Sequence, residues 1–153
     1  MQTNPFANKK LRCMYDQMSE KWWFSAVDMC AMLTDSNYGN GRLYWNRLKD
    51  ELRSRGNQLT RKSDQLKFPA VDGKYYFTDV LDTTAVAYLI QIIPTPKADP
   101  FRLWLAHLVV AGTPIEPLLV QAGQECAAEI LGEYGKRPDK LHERLTVTRR
   151  RLV

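Results

Sequence analysis

Residues Ser25 to Arg55 read SAVDMCAMLTDSNYGNGRLYWNRLKDELRSR, and the order of signals in this stretch decides the fold class. Ser25 stands where a helix N-cap belongs, with Asp28 in the first turn, and Val27, Cys30 and Leu33 have the spacing of a short amphipathic helix ending near Thr34. Asp35 to Gly41 is dense in residues that tolerate turns and positive φ, so it reads as a loop with enough glycine to approach a ligand closely. From Arg42 to Arg55 the apolar Trp45, Leu48 and Leu52 recur at helical spacing, which predicts a second helix. Helix, loop and helix in this order form the skeleton of a helix-turn-helix, with a loop longer than usual.

Upstream, Leu11, Cys13 and Tyr15 alternate with Arg12, Met14 and Asp16, the period of a half-buried strand. A turn near Gln17 to Glu20 leads to a second strand at Lys21 to Phe24, on which Trp22 and Trp23 face opposite sides, so at most one is fully in the core. Downstream, Gln65 to Val71 and Lys74 to Thr78 flank Asp72-Gly73, a dipeptide favoured in two-residue hairpin turns, and Pro69 marks an edge strand. Asp79 to Ile93 reads as a mostly apolar helix with Leu81, Ala85, Tyr88 and Ile92 along its core stripe, stopped by Pro94 and Pro96. Asp99-Pro100 opens another helix, with Phe101, Trp104, Leu105 and Leu108 on one face and Gly112 as its stop. Thr113 and Glu116 resemble a capping box for a helix to about Tyr134, and Asp139 to Arg151 reads as a basic segment that orders as a helix on a partner. The expected architecture is therefore α+β, with small β-hairpin or sheet elements, about five helices, and a wing-like hairpin after the helix-turn-helix-like segment.

Charge is segregated along the chain. Arg42 to Lys67 carries eight Lys or Arg against Asp50, Glu51 and Asp64, whereas residues 68–135 hold three basic and eight acidic groups. From Lys136 onward seven basic residues face two acids, so the formal +5 is a sum of unlike parts. Segregated positive charge steers polyanions. On a helical wheel Arg42, Asn46, Lys49 and Arg53 fall on one edge of the second helix, away from Trp45, Leu48 and Leu52. Arg and Lys meet phosphates or guanine, and Asn bonds adenine in two places, so this edge suits a duplex groove with Asn46 as the best candidate base reader. Arg47 on the same helix, Lys67 and Lys74 on the hairpin, and Arg149, Arg150 and Arg151 in the tail are further candidates for backbone phosphates. A surface helix with a basic edge is also a common solvated face, and the charge runs serve solubility as readily as binding.

Other classes have less support. The longest apolar stretch, Ala85 to Ile93, is far short of the ~20 residues of a membrane helix. The N-terminus lacks the pattern of a secretory signal, so a cytoplasmic location is the default expectation. Cys13, Cys30 and Cys126 are odd in number and widely spaced, which suits reduced core thiols. His107 and His142 are far apart and no Cys-x-x-Cys pair exists, so neither a metal nor a cofactor is expected. No nucleophile, base or phosphate-loop arrangement stands out, and the chain is not expected to be an enzyme; scattered acids such as Asp28, Asp35 and Asp50 leave a nuclease as a minor alternative.

Two motifs carry a family resemblance. Trp23-Phe24-Ser25-Ala26-Val27-Asp28-Met29-Cys30 resembles the WF-x-A-x-D-x-C opening of the Bro N-terminal domain of viral Bro proteins and phage antirepressors. Phe101-Arg102-Leu103-Trp104-Leu105 is similar to that family's F-x-x-W-[VL] segment, following a Lys-containing loop at Pro96 to Asp99. The likeness spans about residues 10–112. Leu108 to Gly112 stands where the family has V-L-P-x-I-R, and Lys74 to Phe77 where it has S-G-L-Y. The opening motif and basic C-terminal end also resemble DNA-damage-inducible protein D. The chain is expected to divide into a Bro-N-like domain over residues 1–112 and a C-terminal helical extension with a basic tail over 113–153, and the resemblance implies a DNA-binding regulatory protein of prophage or antirepressor type whose partner is double-stranded DNA. The alternative is a protein-interaction module that binds a repressor protein rather than DNA, drawing on the acidic segment 68–135. A homodimer through Ile115 to Tyr134 is a further expectation, since that helix has apolar residues to spare.

Overall fold

The computed structural model describes residues 4–6, 9–57, 64–70, 72–123 and 149–150. Strands β1 (Cys13–Asp16) and β2 (Lys21–Ser25) form a hairpin, followed by helices α1 (Ala26–Leu33) and α2 (Tyr38–Ser54). A second hairpin, β3 (Asp64–Pro69) and β4 (Tyr75–Asp82), leads into α3 (Thr83–Ile92), a 3-10 turn at Pro96–Ala98 and α4 (Asp99–Ala111). Residues 116–123 are helical, and β5 (Arg149–Arg150) lies beside β3. The sheet is antiparallel throughout, in the order β1-β2-β4-β3-β5. The α+β class expected from the sequence is the class observed.

Alternation along the strands divides the apolar residues between two clusters. Cys13, Phe24 and Leu81, in register across β1, β2 and β4, join the main core with all the helices. Their neighbours Met14, Trp23 and Val80 join Leu66 and Phe68 in a second cluster on the other face. Trp23 is buried there while Trp22 is half-buried against the main core, so the two rings do divide between faces. Leu119 and Ala122, beyond α4, are buried in the main core as well.

Several local expectations give way to tertiary contacts. Residues 79–82 are strand rather than helix, because β2 supplies a paired edge: Trp23 opposite Asp82, Phe24 opposite Leu81 and Ser25 opposite Val80. The helix starts only after Asp82, whose carboxylate accepts the Ala85 N–H at 2.9 Å as an N-cap. Its buried face is therefore Val86, Leu89 and Ile90, and Tyr88 is exposed. The connection in the β3–β4 hairpin is longer than two residues, since Pro69 pairs with Tyr75. Gly73 takes φ 84, and closing bonds run from Ala70 N to Lys74 O at 2.9 Å and from Gly73 N to Ala70 O at 3.0 Å. Glu116 meets the Thr83 hydroxyl at 2.5 Å rather than reaching back to the Thr113 backbone as a capping box would. Of the basic tail, Arg149 and Arg150 are strand, opposite Leu66 and Gln65, not helix. The rest of that segment, the predicted helix beyond residue 123, Cys126 and His142 lie outside the described residues.

Candidate nucleic-acid interface

The Asp35 to Gly41 loop of the sequence reading is mostly helix. Asn37 caps α2 by accepting the Asn40 N–H at 2.8 Å, so the helix begins at Tyr38 and only residues 34–37 separate it from α1. Gly41 lies inside the helix, buried against α1. A Cβ there would stand 2.6 Å from the Ala31 Cβ and 2.8 Å from its backbone, so glycine serves close helix packing rather than approach to a ligand. Trp45, Leu48 and Leu52 follow as the buried face.

On the opposite edge Arg42, Asn46 and Arg53 are exposed as expected. Arg42 and Asn46, one turn apart, make no side-chain hydrogen bond or ion pair among the described residues. Arg53 reaches Asp50 at 3.8 Å and Arg55 reaches Glu51 at 2.9 Å, both exposed pairs of small energetic worth. Lys49 departs from the solvated arrangement: its Nζ lies 2.9 Å from Asp79 Oδ2, with the lysine side chain 22% exposed. Asp79 also accepts from Trp45 Nε1 and Gln65 Nε2, each at 2.8 Å. Burial pushes the Asp79 carboxyl up, but the donors Trp45, Gln65 and Lys49 outweigh it and hold the group below its ordinary range. One carboxylate thus ties α2 to the β3–β4 hairpin and spends the charge of Lys49.

Arg12 makes the second tie. Its Nε and Nη2 grip the two Asp28 oxygens at 2.8 and 3.0 Å, and its own backbone N–H adds a third bond to Asp28 at 2.9 Å. Nη1 donates to Pro69 O at 3.2 Å and Nη2 to Ser25 Oγ at 3.3 Å. The guanidinium lies 5.5 Å from the Tyr38 ring centroid and 5.6 Å from that of Phe68, within cation–π range. Burial works against its charge, yet the Asp28 carboxylate prevails and raises the Arg12 pKa. The aspartate of the quoted Trp-Phe motif is therefore an anchor for the segment that precedes β1.

These ties frame a groove of about 1010 Å³ between α2, the β3–β4 hairpin, α1 and the segment before β1. Arg42, Asn46 and Lys49 line it from α2; Gln65, Phe77 and Asp79 line it from the hairpin; and Lys9, Lys10 and Arg12 come from the N-terminal side. Tyr38 and Phe77 are exposed aromatics on its walls. Arg47 and Arg53 are exposed outside the lining, Lys74 sits on the hairpin turn, and Lys67 stacks its ammonium 5.1 Å from the Phe77 ring. The backbone of Arg149 and Arg150 runs beside β3, and Arg151 lies outside the described residues. Lys9, Lys10, Arg12, Tyr38, Gln65, Phe77 and Asp79 were not among the residues singled out from sequence for this interface. Only the basic Lys9-Lys10 pair carried a local signal for it. The other residues join the groove through pairings between distant elements.

Among the described residues no helix is long and apolar enough to cross a membrane, and no group of three or more His, Cys, Asp and Glu is arranged to hold a metal ion. Cys13 and Cys30 are buried and form no disulfide among the described residues, and burial pushes the Cys30 thiol up to about 12.

No curated protein and no solved structure matches the chain. A family model does match, over residues 10–111: the BRO family, N-terminal domain, which is associated with DNA-binding, antirepressor-like proteins of phages and viruses. The match contains the Trp-Phe motif with Asp28, both hairpins, α1 to α4 and the whole described groove apart from Lys9, and through it the chain belongs to the BRO N-terminal domain family.

Proposed function

We propose that this chain is a DNA-binding regulatory protein of prophage or antirepressor type that meets duplex DNA through the exposed edge of α2 and the β3–β4 hairpin. The observation that carries the reading is the pair Arg42 and Asn46, exposed one turn apart and without partners among the described residues, at a groove that also receives Lys9 and Lys10. Arg42 acts as a phosphate or guanine contact and Asn46 as a base reader. Arg47, Arg53, Lys67, Lys74 and the tail arginines 149, 150 and 151 add backbone contacts around this centre, whereas Lys49 acts mainly through its pair with Asp79. Catalysis is not part of this reading, and neither is a cofactor or metal.

Mobility shift on duplex DNA tests it. Binding is expected at low salt, Arg42→Ala lowers the slope of log affinity against log salt by about 1, and Asn46→Ala costs about 1–3 kcal/mol at one base position. Absence of any duplex binding at low salt defeats the proposal.

A second reading, a module that binds a repressor protein, draws on Leu103, Val109 and Val110, which are 61, 73 and 90% exposed on α4, outside the groove. Charge reversal of Arg42 separates the two: loss of DNA binding with antirepression retained favours the protein partner.

A further inference from the structure

The groove divides its charges by depth. Two of its cations are already neutralised inside: Arg12 by Asp28, with side chains 13 and 6% exposed, and Lys49 by Asp79, with side chains 22 and 11% exposed. Arg42, Lys9 and Lys10 are exposed at the rim, against one exposed rim acid, Asp35. A phosphate pushed inward would meet Asp79 and Asp28 and no uncommitted cation, so the backbone belongs at the rim. What suits the interior is neutral, flat and hydrogen-bonding. Tyr38, beside Arg12, and Phe77, beside Lys67, are partly exposed rings, the Asn46 amide supplies donor and acceptor, and Gln65 spends an N–H on Asp79 while its carbonyl oxygen remains an acceptor. A volume of about 1010 Å³ admits a nucleotide, since small-ligand sites span roughly 300–1,000 Å³.

Resting on the nucleic-acid reading above, we infer that this groove takes one unpaired base of a bound DNA, stacked on Tyr38 or Phe77, with its phosphates on Arg42, Lys9 and Lys10 and with Asp79 excluding phosphate from the interior. Aromatic stacking tolerates any base, because every base has a π-face, so the preference is for an unpaired nucleotide rather than for a sequence.

Two duplexes of one sequence, fully paired and with a single bulged thymine, decide the matter, with affinity and permanganate oxidation of the bulged thymine as readouts. The bulged duplex is expected to bind about tenfold tighter, the factor that one stacked base supplies, and its thymine is expected to be protected from oxidation. Removing both rings, Tyr38→Ala with Phe77→Ala, abolishes the preference, and Phe77→Trp retains it. Tyr38→Phe, which keeps the ring, behaves as wild type. Asp79→Asn frees the charge of Lys49, steepens the salt dependence on paired DNA by about 1 and weakens the preference for the bulge. Equal affinity for the two duplexes, or an unprotected thymine, overturns this inference and leaves duplex binding standing. Binding of the bulged duplex alone supports it and removes the duplex reading, and binding of neither at low salt removes both.

Discussion

At the scale of single residues, the Arg12–Asp28 pair shows how a charge is kept away from water without being wasted. Both side chains are largely buried, and the aspartate receives three N–H donors from Arg12 alone. Removing one partner leaves the other charged and uncompensated, which costs about 3–5 kcal/mol for a buried pair. Asp28→Ala is therefore expected to lower unfolding stability by an amount of that order, measured as a drop in urea midpoint at unchanged m-value. Asp79 makes a related prediction about pH. Its folded pKa is depressed, so its contribution is fully present above the unfolded carboxylate value of about 3.9 and is lost as pH falls through the lower folded value. The stability curves of wild type and Asp79→Asn should differ at neutral pH and draw together as the solution is acidified below about pH 4. Parallel curves across that range would show that the Trp45, Lys49 and Gln65 bonds do not stabilise the charged form.

At the scale of elements, the contact of α1 with α2 sets where the basic edge points. Asn37 starts α2 four residues earlier than the apolar periodicity alone suggests, and Gly41 lets it lie directly on Ala31. Gly41→Ala places a methyl against backbone that cannot swing aside, and overpacking of this kind costs about 1–3 kcal/mol. The loss should appear in thermal unfolding, although alanine is the better helix former and would stabilise an isolated α2 peptide. The sign of the change thus reports packing rather than propensity. The same competition explains residues 79–82, where an apolar run suited to a helix becomes strand because β2 leaves an edge to be paired.

At the scale of the whole molecule, the proposed interface is a composite. Its cations come from the segment before β1 and from α2, its aromatic walls from the start of α2 and from β4, and its inner acids from α1 and β4. Cancellation of Lys49 and Arg12 means that formal charge overstates the number of phosphate contacts on offer. With about four phosphates neutralised, affinity for duplex DNA should fall about a hundredfold between 50 and 200 mM salt. A titration at several salt concentrations measures this directly. A slope near that expected from eight contacts would mean that the full basic block of residues 42–67 engages DNA.

The local elements were largely legible in the amino-acid order, because caps and periodicity act within a few residues. Ser25 caps α1, Trp45, Leu48 and Leu52 bury one face of α2, and Gly112 ends α4 at φ 69, each as the sequence implied. The exposure of Arg42 and Asn46 followed from the same wheel that buried Trp45. Pairing across distance was not legible in this way. That Asp79 lies in a strand, meets Lys49 thirty residues earlier and cancels its charge depends on β4 docking against β2 and on the hairpin folding toward α2. A one-dimensional charge count treats every lysine as free; only the tertiary structure decides which of them already has a carboxylate at 2.9 Å.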